Sequence, residues 1–192
     1  MNIAVYSGSF NPLHIGHLAI IRHMIEEAGF DMVYLIVSPK NPLKDGISAS
    51  TGLDRYNAAV EAVNRHFAFG EVSEAEKVMV DDIELNMPAP HYTVRTLNAL
   101  KEREPQHTFT FVMGADNLAD IRRWREYQTI LKDFGVAVFP RIGHDLTQIK
   151  QDLLNEDPAY KIQILEAELV NISSTQIREA IANGEDASLY MM

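Results

Sequence analysis

The sequence predicts an α/β chain folded as one doubly wound domain, with a mostly parallel sheet and helices on both of its faces. Three observations carry that expectation. Short β-branched runs alternate with segments of helical periodicity. The runs are apolar throughout rather than at every second position, which marks strands covered on both faces. The first run passes through a Gly-Ser turn directly into a helix.

Taken in order, residues 3–6 form the first strand, which stops at Ser7-Gly8. Residues 17–28 follow as a helix that puts Leu18, Ile21, Ile25 and Ala28 on one face and ends at Gly29, a residue suited to the position after a helix. Residues 33–37, 109–112 and 136–139 are the further strands, and residues 53–66 and 93–104 the further helices. Two proline-containing stretches, 38–46 and 86–90, read as loops; the first follows a strand and the second precedes a helix, so both can border a crevice at the carboxyl ends of the strands. No repeat, linker or low-complexity tract divides residues 1–192, and the expectation is one Rossmann-like domain.

Composition sets limits on function. A chain of 192 residues with 46% hydrophobic and 23% charged residues builds one ordinary core, at roughly 150 residues per domain. No apolar run near the first residues makes a signal peptide or a spanning helix, so a cytoplasmic protein is expected, with no membrane partner. The absence of cysteine excludes disulfides, thiolate metal sites and cysteine nucleophiles. A formal net charge of −10 argues against nucleic acid as a partner, so a phosphate ligand must meet a local cluster of donors and cations.

That cluster is found where the first strand ends, in Ser7-Gly8-Ser9-Phe10-Asn11-Pro12-Leu13-His14-Ile15-Gly16-His17. Gly8 and Ser9 permit a tight turn with exposed amides, and Gly16 lets the backbone approach a ligand at a helix N-terminus, where amide donors favour phosphate. Two histidines three residues apart can then reach the same anion. Taken singly, either would be read as a cap or surface residue. Near the other end, Ile172-Ser173-Ser174-Thr175 leads into a helix that Ser173 or Ser174 can cap, and Arg178, about one turn on, can reach the same phosphate. Trp124, the single tryptophan, offers a flat stacking surface beside Arg122 and Arg123, or else core packing. Asp116, after Gly114, can take ribose hydroxyls or cap the next helix; Thr93 doubles as a cap, and Lys44 is a cation in a proline-rich loop or a solvated surface residue.

At His14-Ile15-Gly16-His17 the chain resembles the nucleotidyltransferases that carry a HIGH motif. Over nearly its whole length it is similar to the bacterial nicotinate mononucleotide adenylyltransferases. The supporting stretches are Gly8 to Pro12 with the two histidines, Asn41 to Lys44, Tyr92-Thr93 with Thr96-Leu97, Gly114 to Leu118 with Trp124, and Ile172 to Thr175 with Arg178. The resemblance implies a catalytic set of His14, His17 and Arg178 on the phosphates of ATP. It implies an ATP site of Gly8, Ser9, Phe10, Gly16, Gly114, Asp116, Ile172, Ser173, Ser174 and Thr175. Lys44, Tyr92, Thr93 and Trp124 would serve the pyridine nucleotide. Leu43 stands where the family often has a histidine, and His91 where a small serine is usual.

The implied reaction is attack of the 5′-phosphate of nicotinate mononucleotide on the α-phosphorus of ATP, giving deamido-NAD and pyrophosphate in NAD synthesis. A phosphate monoester, with a second pKa of about 6, is already a nucleophile at neutral pH, so positioning and charge neutralisation should supply most of the rate. Mg²⁺ is expected as a cofactor held through the triphosphate oxygens. Two other functions stay open at this point: transfer from ATP or CTP to another phosphorylated acceptor such as phosphopantetheine, and a nucleotide sensor without turnover. A homo-oligomer is compatible with the composition, which neither requires nor forbids it.

Overall fold

In the computed structural model, which describes residues 1–39, 51–67, 76–166 and 173–192, six strands form one sheet. They are β1 (Asn2–Gly8), β2 (Met32–Val37), β3 (Val78–Asp81), β4 (Thr108–Gly114), β5 (Val136–Phe139) and β6 (Ile162–Ile164). Their order is β3-β2-β1-β4-β5-β6, and every neighbouring pair is parallel. β1 lies at the centre, with Ile3 registered against Met32 on one side and Phe109 on the other.

The continuous hydrophobicity of the strands is used on both faces. Along β1, Ile3 and Val5 enter one buried cluster while Ala4 and Tyr6 enter the other. Helices α1 (Ile15–Glu26) and α2 (Gly52–Phe67) cover the second face through Ile20, Ile21, Met24, Ala59, Val63 and Phe67. Helices α3 (Thr93–Arg103), α4 (Ala115–Ala119) and α5 (Leu146–Glu156) cover the first through Val94, Leu97, Leu100, Leu118 and Leu153. Truncating a fully buried leucine of this kind typically costs about 2–5 kcal/mol, so the sheet is a stiff platform for whatever its loops carry.

Four strands fall where the sequence predicts them; β3 and β6 were not foreseen. Both are short edge strands in which only one side is paired, and Ile162-Gln163-Ile164 lacks the apolar run that marks a central strand. The first helix begins at Ile15 rather than near His17, because His14 has extended backbone and acts as its cap. It ends at Glu26, short of Ala28. Thr93 is not a cap either: Tyr92 holds that position, without a side-chain bond. Asp116 lies inside the first turn of α4, which Gly114 precedes as cap. Helix α6 (Ser174–Ala182) is capped by Ser173, one of the two predicted serines.

This strand order places the carboxyl ends of β1 and β4 side by side while their connections leave to opposite halves of the sheet. Such a switch point opens a crevice above the strand ends.

Candidate active site

The turn from β1 into α1 is fastened by its own side chains. Gly8 leaves room for the Phe10 ring, since a Cβ would stand 3.1 Å from it and press it aside by a few tenths of an ångström. Phe10 has φ of 42°, in the left-handed region that costs a non-glycine residue about 1–2 kcal/mol. Its buried ring meets Tyr6 edge-on at 5.5 Å and His17 at 5.2 Å between centroids. The His14 and His17 rings lie 3.7 Å apart, tilted by 33°.

Backbone hydrogen bonds fix which nitrogen of each ring carries the proton. The Gly16 N–H donates to His14 Nδ1 at 3.2 Å, and the His14 N–H donates to His17 Nδ1 at 3.2 Å. A nitrogen that accepts a bond bears no proton, so both neutral rings carry theirs on Nε2. Burial, aided by the charge of Arg141, pushes His14 down to about 4. Burial, then His14 and Arg141, pushes His17 down to about 3. At neutral pH in the free protein the pair is therefore two Nε2–H donors and not two cations, a refinement of the charge-neutralising role expected from the sequence.

Across the crevice, β4 ends at Gly114, where a Cβ would stand 2.4 Å from the Asp116 carboxylate and 3.2 Å from Arg141 Nε. Arg141 lies 3.9 Å from Asp116 Oδ1, with its guanidinium 4.9 Å above the Phe139 ring. The sequence reading missed Arg141. Its signal was present, an arginine just beyond a strand at the carboxyl edge of the sheet, but only the strand order tells that it faces the histidines.

Trp124 follows a short 3-10 turn, Ile121–Arg123, and contacts Phe111 edge-on at 5.9 Å. Arg123 and Arg125 flank it on the wall of the same cleft, with Tyr92 and Thr93 at the start of α3. Arg122 instead donates to Glu156 at 2.8 Å.

Helix α6 closes the far side. Ser173 Oγ accepts from the Gln176 N–H at 3.3 Å, Ser174 Oγ donates to the Pro12 carbonyl at 3.1 Å, and Arg178 Nη1 donates to the Asn11 carbonyl at 2.6 Å. Arg178 Nη2 also donates to Thr175 Oγ1 at 3.1 Å. The helix thus grips the histidine turn from 162 residues away in sequence.

Together these elements enclose a cleft of about 680 Å³, a volume suited to a nucleotide-sized ligand. Its wall contains Gly8, Ser9, Phe10, His17, Tyr92, Thr93, Gly114, Trp124 and Ser174 from the predicted set. His14 and Asp116 touch wall residues, His17 and Arg141, without lining the cleft themselves, and Gly16, Ser173, Thr175 and Arg178 are not part of its wall. Lys44 and Ile172 lie outside the described residues. The wall also includes Glu84 and Arg141, which the sequence did not single out.

Comparison with known proteins agrees with this geometry. A cytidylyltransferase-like family model matches residues 5–180. The "probable nicotinate-nucleotide adenylyltransferase" of Flavobacterium johnsoniae is 38% identical over 97% of this chain and 89% of its own length. Its namesake in Flavobacterium psychrophilum is 39% identical over 95% of this chain and 88% of its own. Among solved structures, the nicotinic acid mononucleotide adenylyltransferase of Plasmodium falciparum complexed with NaAD superposes with a TM-score of 0.76 at 21% identity, covering 99% of this chain and 90% of that one, a likeness of fold. With this fold, this cleft and these relatives, the chain belongs to the nicotinate-nucleotide adenylyltransferases, nucleotidyltransferase enzymes of NAD biosynthesis.

Proposed function

We propose that the cleft performs adenylyl transfer with ATP phosphates laid over the histidine turn and the acceptor, nicotinate mononucleotide, held along the Trp124 wall. The observation that carries this is the histidine pair: a buried His14 and a half-buried His17 whose Nδ1 atoms are occupied by backbone N–H groups, leaving Nε2–H donors at the switch point of the sheet. The 5′-phosphate oxygen of the acceptor forms a bond to the α-phosphorus, the bond from that phosphorus to the bridging oxygen breaks, and pyrophosphate leaves with the electron pair. No side chain has to remove a proton, since the attacking phosphate is already anionic.

Preformed donors suit a transition state in which charge spreads onto phosphoryl oxygens, and one such donor is worth about a hundredfold or more in turnover. His17 Nε2–H serves those oxygens directly. His14 sets the His17 tautomer through its own N–H and adds a second donor at the rim. Arg141, beside Asp116, supplies positive charge, and Asp116 takes ribose hydroxyls. Arg178, anchored on Asn11, has guanidinium N–H groups left for phosphate. Trp124 stacks the pyridine ring, with Tyr92, Thr93 and Lys44 completing the acceptor subsite. Gly8, Ser9, Phe10, Gly16, Gly114, Ile172, Ser173, Ser174 and Thr175 shape the ATP side.

Among the described residues no three His, Cys, Asp or Glu side chains converge to hold a metal ion. Magnesium would accordingly enter as part of the ATP substrate and would supply charge neutralisation there, with the histidine turn and Arg141 as the chain's own contribution. Among the described residues no helix is long and apolar enough to cross a membrane, and we place the enzyme's work in the cytoplasm, on small molecules and not on nucleic acid.

The test is pyrophosphate release with magnesium and either ATP or CTP, comparing nicotinate mononucleotide, nicotinamide mononucleotide and phosphopantetheine. Release with ATP and nicotinate mononucleotide at a much higher kcat/KM than any other pair is expected. Preference for phosphopantetheine, or ATP binding with no release at all, would overturn it.

A further inference from the structure

Arg55, near the start of α2, is a buried arginine whose hydrogen-bond partners among the described residues are backbone carbonyls. Nη1 donates to the Ser9 carbonyl at 2.8 Å and to the Ser38 carbonyl at 2.7 Å, and Nη2 donates to the Pro39 carbonyl at 2.7 Å. Only 7% of the residue is exposed. One guanidinium therefore joins two strand exits that are separate in sequence: the turn after β1, on the ATP side, and the segment after β2.

Two features make this more than glue between a helix and a sheet. The Ser9 carbonyl belongs to the same peptide plane as the Phe10 N–H, so holding that oxygen holds the torsion on which Phe10's φ of 42° depends. Strained backbone persists only where its surroundings over-determine it. Phe10 in turn sets the edge against which the His17 ring packs at 5.2 Å. In addition, the hydroxyl of Ser38 is held as firmly as its carbonyl. It donates to Glu84 Oε2 at 2.5 Å, and Glu84 Oε1 accepts from Thr96 Oγ1 on α3 at 2.8 Å. Glu84 is 3% exposed and stands on the cleft wall. The frame thus runs from the histidine turn through Arg55, Ser38 and Glu84 to the helix that begins at Thr93.

We propose that Arg55 is a positioning residue for adenylyl transfer, holding the Ser9–Phe10 peptide, and through Phe10 the His17 ring, in register with the acceptor side of the cleft. The proposal rests on the adenylyl-transfer reading given above. Arg55 touches no reacting atom. A lysine there keeps the charge but presents a single ammonium, which cannot reproduce the planar fork across three carbonyls.

The experiment uses the full chain, with wild type, Arg55→Lys and Arg55→Ala assayed for pyrophosphate release from ATP and nicotinate mononucleotide. Melting curves give the folded fraction of each. Displacing a reacting group by about 1 Å can cost about a hundredfold, so Arg55→Lys should lose at least about tenfold in kcat per folded molecule. Its KM for ATP should change by less than about threefold, because the lost interaction acts in the transition state. Ethylguanidinium added to Arg55→Ala should restore part of that kcat without raising the melting temperature. An Arg55→Lys enzyme within about twofold of wild type per folded molecule would overturn the proposal, as would losses that merely follow the unfolded fraction. If Arg55→Ala yields no folded protein, Arg55→Lys decides alone. A silent wild type would instead reject the adenylyl-transfer reading, and the two failures stay distinct.

Discussion

At the β1–α1 turn, His14 and His17 are each fixed by a backbone N–H on Nδ1, with a buried His14 ring against a half-buried His17 ring that packs on Phe10, whereas along the opposite wall Trp124 is half-buried and Arg123 and Arg125 are exposed. One end of the cleft is finished before a ligand arrives; the other is held by packing and open to solvent. The difference matches what the proposed placement of the two substrates would demand. Phosphoryl oxygens that gain charge in the transition state need donors that do not reorganise, while a pyridine ring needs a flat surface that accepts it in the ground state. Mutations at the first end should therefore act on kcat and those at the second on KM.

The largest expected effect is at His17. His17→Ala should lower kcat by about a hundredfold or more while KM for nicotinate mononucleotide moves little; steady-state kinetics with a melting curve would check both. Equal losses in kcat and binding would erase the contrast between the two ends. Trp124→Ala comes next, with KM for nicotinate mononucleotide raised about tenfold, since stacking a base on an aromatic ring is worth about 1–3 kcal/mol. Its kcat should stay within a few-fold of wild type, and a raised KM for ATP in its place would reverse the assignment of the wall.

Acid stability sharpens the comparison, because the histidine end contains two strongly depressed bases. His14 and His17 titrate at about 4 and about 3 in the folded chain, against about 6.5 when unfolded. Between those values the unfolded chain binds more protons, so the stability these burials allow is complete above about pH 6.5 and drains away as pH falls toward 4 and then 3. Urea midpoints measured from pH 7 to pH 4 should drop, and should drop less in His17→Ala. The smallest effect is expected at Ser173→Ala, which removes the cap of α6 and should cost about 1 kcal/mol of stability, read as a lower urea midpoint at unchanged slope. Hydrogen exchange would locate the loss at the helix that carries Arg178.

The parts of this fold that were legible in the sequence are those written in local pattern. Val33 to Val37 and Phe109 to Val112 announce buried parallel strands by unbroken hydrophobicity, and the histidine pair, placed after the Gly-Ser turn, points to the end of β1 where the cleft lies. What stayed hidden depends on tertiary neighbours. Val78–Asp81 and Ile162–Ile164 become strands because an adjacent strand offers them a partner. Arg55 looks like any charged residue near a helix start until α2 packs it against carbonyls 16 to 46 positions away. Arg141 likewise gains its meaning only when β5 lies beside β4. The His14 and His17 positions could be read from spacing, but their tautomers required the cap geometry.

The central claim, that the phosphate end is preassembled as two neutral Nε2–H donors, is tested most directly by nitrogen NMR of imidazole-labelled protein without ligand, followed from pH 8 to pH 5. The account predicts that His14 and His17 hold an unprotonated Nδ1 and a protonated Nε2 across this range, as expected for groups titrating at about 4 and about 3. An imidazolium at pH 7, or a proton on Nδ1 of either ring, would contradict it.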